Sequence, residues 1–90
     1  MTPAEAFATA ERRATFRALA ARIFGVDPSV LTDETTRGSL PAWDSINHLR
    51  LVMEAESAFG VRYSLERIPA LESFGDFYKD YYHVHQVHSP

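Results

Sequence analysis

The chain has 90 residues, 46% hydrophobic and 12% aromatic, which fits one small domain with a single core. It contains no cysteine, which excludes disulfides and thiolate metal sites, so packing alone must stabilise the fold. The net charge is −3 and there is a single lysine; without a basic cluster beyond the first helix, nucleic-acid binding is not expected.

The N-terminal sequence MTPAEAFATAERR lacks the long apolar segment of a signal peptide. No run of about 20 apolar residues, the length of a membrane span, follows it. We therefore expect a cytoplasmic protein that does not insert into membranes.

The first predicted helix opens with a capping box, in which Thr2 is the cap, Pro3 the first helical residue and Glu5 the third residue after the cap. Its apolar stripe has helical spacing and consists of Phe16, Leu19, Ala20, Ile23 and Phe24. The arginines on its other faces are expected to be solvated: Arg12, Arg13, Arg17 and Arg22. Gly25 offers the left-handed conformation that ends a helix.

A long connection follows, from residue 26 to residue 43, rich in Asp, Pro, Ser, Thr and Gly and without a sustained period. Connections of this length are uncommon in compact domains and tend to be functional or mobile. Its apolar residues are expected to pin it to the helices: Val30, Leu31, Leu40 and Trp43.

The second helix is predicted to start with Asp44 or Ser45 as its cap and to stop at Gly60. Its apolar positions repeat at helical spacing in Ile46, Leu49, Val52 and Met53, and the buried face is widened by Leu51, Ala55 and Phe59. This pattern predicts a helix packed on the first one.

The remainder predicts an extended segment at residues 61–64, a single turn before Pro69, and a last helix. A second capping box, Ser73 to Asp76, starts that helix, and its apolar stripe is Phe74, Phe77, Tyr78 and Tyr81. The predicted fold is all-α, a bundle of three main helices plus one short helix, with a domain at residues 1–82 and a flexible tail at residues 83–90.

Two chemical interpretations of the polar residues are weak. Asp44, Ser45 and His48 have the residue types of a catalytic triad, but an aspartate that caps the helix cannot reach the far nitrogen of His48. His83, His85 and His88 are imidazoles with affinity for divalent transition metals, but their spacing in a terminal tail without carboxylates favours no site.

Two interpretations of Ser45 remain open on spacing alone. Asp44 and Ser45 can simply satisfy the free amides at the start of the second helix. Alternatively, a serine at a helix start after a long loop is exposed, and an attached phosphodiester would be favoured by the helix dipole and free amides.

The run LPAWDSINHLRLVMEAESAFGVRYSLERIPALESFGDFYKDY resembles the acyl carrier protein family, which includes peptidyl and aminoacyl carrier proteins. In that family a Gly-x-Asp-Ser-Leu-like motif carries 4′-phosphopantetheine on its serine, and here Trp43-Asp44-Ser45-Ile46 takes its place. Upstream, LAARIFGVDPSVLTDETTRGSL is similar to the family's first helix and long loop, so the resemblance covers about residues 14–82.

The resemblance implies a carrier without catalytic activity, whose 4′-phosphopantetheine comes from coenzyme A and is attached to Ser45, with Asp44 beside it. A phosphopantetheinyl transferase would modify it, a ligase or transferase would load acyl or aminoacyl groups as thioesters, and downstream acceptor enzymes would use them. It also implies a monomer and a partner-binding face formed by Trp43, Ile46, Arg50, Met53 and Glu54. Of these, Arg50 and Glu54 are one turn apart and are expected to pair when no partner is bound.

The sequence departs from the family pattern at Ala42-Trp43, where Gly-x is usual, and at Ile46, where Leu is usual. Its second helix also starts with Asn47, His48 and Arg50, whereas fatty-acid carriers are strongly acidic there. These differences favour specialised metabolism over bulk fatty-acid synthesis. The alternative is a small helical protein-interaction module without a prosthetic group.

Overall fold

Three α-helices are the main elements of the fold: α1 spans Ala10–Phe24, α2 spans Ser45–Phe59 and α3 spans Phe74–Lys79. Two short strands, β1 at Val61–Arg62 and β2 at Tyr82–His83, pair antiparallel. The computed structural model describes residues 6–83, apart from the side chain of His83. This small, mostly helical architecture agrees with the predicted all-α class.

α1 begins at Ala10 because the extended residue before it, Thr9, accepts a hydrogen bond from the Arg12 N–H on its side-chain oxygen. The capping box predicted at Thr2 lies outside the described residues. The helix ends at Gly25, whose φ of +69° is the left-handed conformation that the sequence predicted there.

The segment before α1 is buried, which the sequence did not indicate. Ala6 and Phe7 lie in the core, and Phe7 packs against the rings of Phe16, Phe59, Tyr78 and Tyr81. Arg12 Nε donates to the Ala6 carbonyl at 2.6 Å, and Arg13 Nη1 donates to the Phe7 carbonyl at 2.8 Å. These two arginines therefore fasten the chain and are not merely solvated, as had been expected of them.

The core lies where all three helices meet. Its largest fully buried side chains are Phe16, Leu51, Val61, Leu71, Phe74 and Phe77. Tyr63 is buried beside them, and its hydroxyl donates to the Phe77 carbonyl at 2.5 Å. The chain after α2 is thereby joined to α3.

The connection between α1 and α2 is pinned by two of its apolar residues, Leu31 and Trp43, which are buried, while Leu40 packs against the core. Val30 was expected to do the same but is exposed, because it ends a short 3-10 turn at Pro28–Val30. A second 3-10 turn spans Arg37–Ser39. The long connection thus has structure of its own.

Asp33 is the polar anchor of this connection. Its carboxylate accepts a hydrogen bond from Tyr78 Oη at 2.8 Å, pairs with Arg17, and lies 3.4 Å from Arg13 Nε. Desolvation raises the pKa of Asp33, but the Tyr78 and Arg17 hydrogen bonds and the two arginine charges outweigh it, so the pKa is lowered overall. One carboxylate therefore ties the loop to both α1 and α3.

The last third of the chain follows the predicted order. β1 lies in the expected extended segment. Where the short turn before Pro69 was predicted, the N–H groups of Arg67 and Ile68 donate to the Ser64 carbonyl, and a 3-10 turn at Ile68–Ala70 follows. Ser73 caps α3 by accepting from the Asp76 N–H. His83 belongs to β2, and the rest of the predicted tail, residues 84–90, lies outside the described residues. Within residues 6–83, no helix has the length and apolar character needed to cross a membrane.

Candidate functional site

At the start of α2, two neighbouring residues have different roles. Asp44 is the cap: its carboxylate accepts from the Asn47 N–H at 2.9 Å, and its carbonyl accepts from the His48 N–H at 2.8 Å. Ser45 is the first helical residue and is exposed. Among residues 6–83, its hydroxyl makes no hydrogen bond, and the capping contact is made by Asp44 instead.

The amides at this helix end add a weak preference for anions. The Ser45 and Ile46 N–H groups belong to the first turn and have no intrahelical acceptor, as at every helix N-terminus. They favour a negatively charged group on the Ser45 side chain, whereas the Asp44 carboxylate next to it opposes one. A phosphodiester at Ser45 is therefore compatible with the site.

His48 is buried, with 3% of its surface exposed, and both of its ring nitrogens are engaged. Trp43 Nε1 donates to His48 Nδ1 at 2.9 Å, and His48 Nε2 lies 2.7 Å from the Ile68 carbonyl oxygen. Burial lowers its pKa. Because no ring nitrogen is left for Ser45, the triad interpretation of Asp44, Ser45 and His48 has no support in this geometry.

The residues before Ser45 are held by four further contacts. Asn47 Nδ2 donates to the Ala42 carbonyl at 2.9 Å, and the Trp43 N–H donates to the Leu40 carbonyl at 2.9 Å. The Trp43 indole packs on Phe24 and Phe74, with ring centroids 5.5 and 5.3 Å away. The end of the loop before Ser45 is thus hydrogen-bonded to α2 and packed against the core.

Trp43 was assigned to the partner-binding face, and that assignment is wrong. Its indole is buried inside the bundle and bonded to His48, so it cannot contact a partner. Its packing inside the bundle holds the segment that precedes Ser45. The sequence also placed Trp43 among the apolar loop residues that were expected to pin the loop to the helices. Its burial agrees with that second prediction.

The outer face of α2 carries a row of exposed apolar side chains. Ile46 and Met53 are each 67% exposed and Leu49 is 53% exposed. The sequence left Ile46 and Met53 open between the buried face and the partner-binding face, and the structure places both at the surface. Leu49 was predicted to be buried, and for this residue the prediction is wrong. The face that is buried consists of His48, Leu51, Val52, Ala55 and Phe59.

Two shallow depressions flank Met53. One, of about 410 Å³, is lined by Arg22, Ile23, Arg50, Met53 and Glu54. Arg50 and Glu54 share this depression, but among the described residues they form no ion pair, in contrast to the expected pairing. Both charges are therefore exposed to solvent without an internal partner in the described part of the chain.

The other depression, of about 370 Å³, lies between α2 and the segment after β1. Leu49, Met53 and the exposed Leu65 and Tyr82 contribute apolar walls to it. Sequence reasoning missed Leu65 and Tyr82 as surface residues of this region. Leu65 lies outside the periodic helical pattern, and Tyr82 follows the last predicted apolar stripe.

No group of three or more His, Cys, Asp or Glu side chains within the described range is arranged to hold a metal ion. The metal interpretation of the tail concerns His85 and His88, which lie outside that range, and the side chain of His83, which is likewise not described.

Comparison of the chain with protein-family models, with curated proteins and with solved structures gave no match.

Proposed function

We propose that the chain is a carrier protein that holds acyl or aminoacyl intermediates as thioesters on 4′-phosphopantetheine attached to Ser45. The observation that carries this proposal is the division of tasks between Asp44 and Ser45: the aspartate caps α2, and the exposed serine hydroxyl is left free for modification. The resemblance of the surrounding sequence to acyl carrier proteins gives that hydroxyl its expected chemistry.

In this function the protein brings the attached group to partner enzymes, and the prosthetic group provides a thiol on a long flexible arm. Attachment forms a phosphate ester on Ser45 Oγ, breaks the pyrophosphate bond of coenzyme A and releases adenosine 3′,5′-bisphosphate and a proton. Tethering the cargo raises its effective concentration at any enzyme that binds the carrier surface. The helix start favours the anionic ester, and the fixed loop keeps the attachment point accessible.

The bundle fits the expected carrier arrangement if the 3-10 turn at Ile68–Ala70 is the counterpart of the family's short helix. In that arrangement α1, α2 and α3 are the three main helices. The long anchored connection before Ser45 is the counterpart of the family's long loop.

We assign partner binding to the outer face of α2, where Ile46 and Met53 offer apolar contacts and Arg50 and Glu54 offer charges. The mixed charges on this face support a role in specialised metabolism. In that role the partner enzymes are cytoplasmic and specific to this carrier. Contacts of this kind are weak, because a carrier must leave each enzyme quickly, and they loosen as salt is added.

A second candidate is an interaction module without a prosthetic group, with Ser45 only as the first residue of the helix. The specific observation in its favour is the same exposed row of Ile46, Leu49 and Met53, which is able to bind another protein without any modification of Ser45.

Intact mass spectrometry separates the two. The protein is incubated with coenzyme A and a broad-specificity phosphopantetheinyl transferase, beside Ser45→Ala and the matched control Ser57→Ala, which removes another exposed serine of α2. The carrier function predicts one phosphopantetheine on the wild type and on Ser57→Ala, and none on Ser45→Ala. A folded wild type that stays unmodified, while a known carrier is modified in the same mixture, would favour the interaction module.

A further inference from the structure

The hydrogen bonds of His48 fix its protonation state. Trp43 Nε1 is able only to donate, so His48 Nδ1 must accept and carry no hydrogen. The Ile68 carbonyl is able only to accept, so Nε2 must carry the hydrogen. Both contacts are satisfied by the neutral Nε2–H tautomer and by no other form of the ring.

This one imidazole joins three segments of the chain. It projects from the inner face of α2, binds the residue that precedes the Asp44 cap, and binds the turn that leads to α3. Apart from the aromatic Trp43 and Tyr63, His48 is the only buried residue with a polar side chain among the described ones. A leucine here would fill the space without making either contact, so the imidazole has a role beyond packing.

We propose that the Trp43–His48 hydrogen bond is a proton-sensitive latch: neutral His48 holds the end of the loop against α2, and protonation of Nδ1 releases it. A proton on Nδ1 would place two N–H donors against each other at 2.9 Å. The buried imidazolium would also lack an acceptor on that side. The contact between Nε2 and Ile68 would persist, so the release would act on the loop and not on the turn before α3.

The surroundings of the ring decide where it titrates. Burial disfavours the proton most strongly and lowers the pKa of His48 below its ordinary 6.5, while the hydrogen bond to Ile68 acts in the opposite direction. The charged groups that face the ring are Arg37 from the loop, which disfavours the proton, and Glu72 from the segment before α3, which favours it. The rings that pack on it, Trp43 and Phe77, carry no charge.

Nuclear magnetic resonance tests the latch directly, because Trp43 is the single tryptophan and gives one indole N–H signal. The full-length variant His83→Gln, His85→Gln, His88→Gln leaves His48 as the only histidine, so every imidazole titration in it belongs to this ring. The pH is lowered from about 8 to about 5, across the range where histidine titrates.

We expect the indole N–H signal to shift, and its exchange with water to accelerate, at the same midpoint as the His48 ring protons and below pH 6.5. The far-ultraviolet helix signal should stay constant across that midpoint. In His48→Gln, which keeps an acceptor but does not titrate, the indole signal should not respond to pH.

Three results would overturn the latch: an indole signal that stays constant while His48 titrates, an equal pH response in His48→Gln, or loss of the helix signal at the same midpoint. If His48→Gln does not fold, the variant that lacks the tail histidines still decides, because it compares the indole and ring midpoints within one molecule.

A consequence for Ser45 rests on the proposed function. Release of Trp43 would loosen the segment that presents the serine, so acidification should slow phosphopantetheine transfer to the wild type more than to His48→Gln under identical conditions. A latch seen by resonance without any modification of Ser45 would contradict the carrier function alone. Modification at equal rates in both proteins at every pH would contradict the latch's effect on Ser45 alone.

Discussion

The inner and outer faces of α2 each depart from the usual distribution of polarity, in which polar side chains are exposed and apolar ones buried. The inner face buries a histidine, His48, whereas the outer face exposes Ile46, Leu49 and Met53 to water. The histidine is tolerated inside because a donor and an acceptor meet its two nitrogens. The exposed side chains have no such structural reason. The difference teaches that the inner face serves the fold and that the outer face is available for binding.

Leucine truncation on each face gives the largest expected difference. Leu51 is fully buried, so Leu51→Ala should lower the free energy of unfolding by about 2–5 kcal/mol, through lost burial and a cavity. Leu49→Ala removes the same atoms two residues earlier, from a side chain that is 53% exposed, and should cost less than about 1 kcal/mol. Urea unfolding measures both, and equal losses would contradict the assignment of the faces.

Replacement of the buried histidine should have the next largest effect. His48→Leu keeps an apolar volume but leaves Trp43 Nε1 and the Ile68 carbonyl buried without partners, at about 1–3 kcal/mol for each group. Urea unfolding near neutral pH measures the loss. A variant as stable as the wild type would mean that the two hydrogen bonds add nothing to folding.

The same histidine makes stability depend on pH. Its pKa is lowered in the folded state, so the unfolded chain binds the proton more tightly and acidification favours unfolding. The stabilisation is complete above the ordinary pKa of 6.5 and declines as the pH falls toward the folded pKa. The urea concentration at the unfolding midpoint, measured above and below pH 6.5, should therefore change more for the wild type than for His48→Leu. If both proteins lost the same stability on acidification, this prediction would be contradicted.

The smallest expected difference in stability is between two substitutions at the start of α2. Asp44→Ala removes the cap and should cost about 0.5–2 kcal/mol. Ser45→Ala, which removes an exposed hydroxyl without a described partner, should change stability by less than about 0.5 kcal/mol. Thermal unfolding of the two variants measures the contrast. A larger loss for Ser45→Ala would mean that the hydroxyl has a structural role, and it would weaken the proposal for its modification.

Local chemistry was predictable from the sequence wherever one residue decides the conformation. Gly25 and Gly60 end helices because their left-handed conformation suits glycine, and Asp44 and Ser73 start helices because their side chains accept from free amides. α1 starts after the Thr9 cap, whereas the capping box predicted at Thr2 lies outside the described residues. The burial of Ala6 and Phe7 just before α1 depends on tertiary contacts that no local pattern contains.

The buried face of α2 was misassigned for a different reason. Apolar residues occur on both sides of this helix, so an apolar count alone admits more than one face. Treating His48 as a core residue would have revealed the correct stripe, because it precedes Leu51, Val52 and Ala55 at helical spacing. Its partners Trp43 and Ile68 lie 5 and 20 residues away, so that pairing needed the structure.

Asp33 joins segments that are far apart in the sequence. Its carboxylate binds Tyr78, 45 residues further along the chain, as well as Arg17 on α1. Because closing so long a loop costs chain entropy, we expect the Tyr78 contact to form late in folding. Contacts that form after the transition state stabilise the folded protein mainly against unfolding. Asp33→Asn should therefore raise the unfolding rate in stopped-flow experiments and leave the folding rate nearly unchanged, so this single carboxylate sets the lifetime of the folded chain more than the speed of its formation.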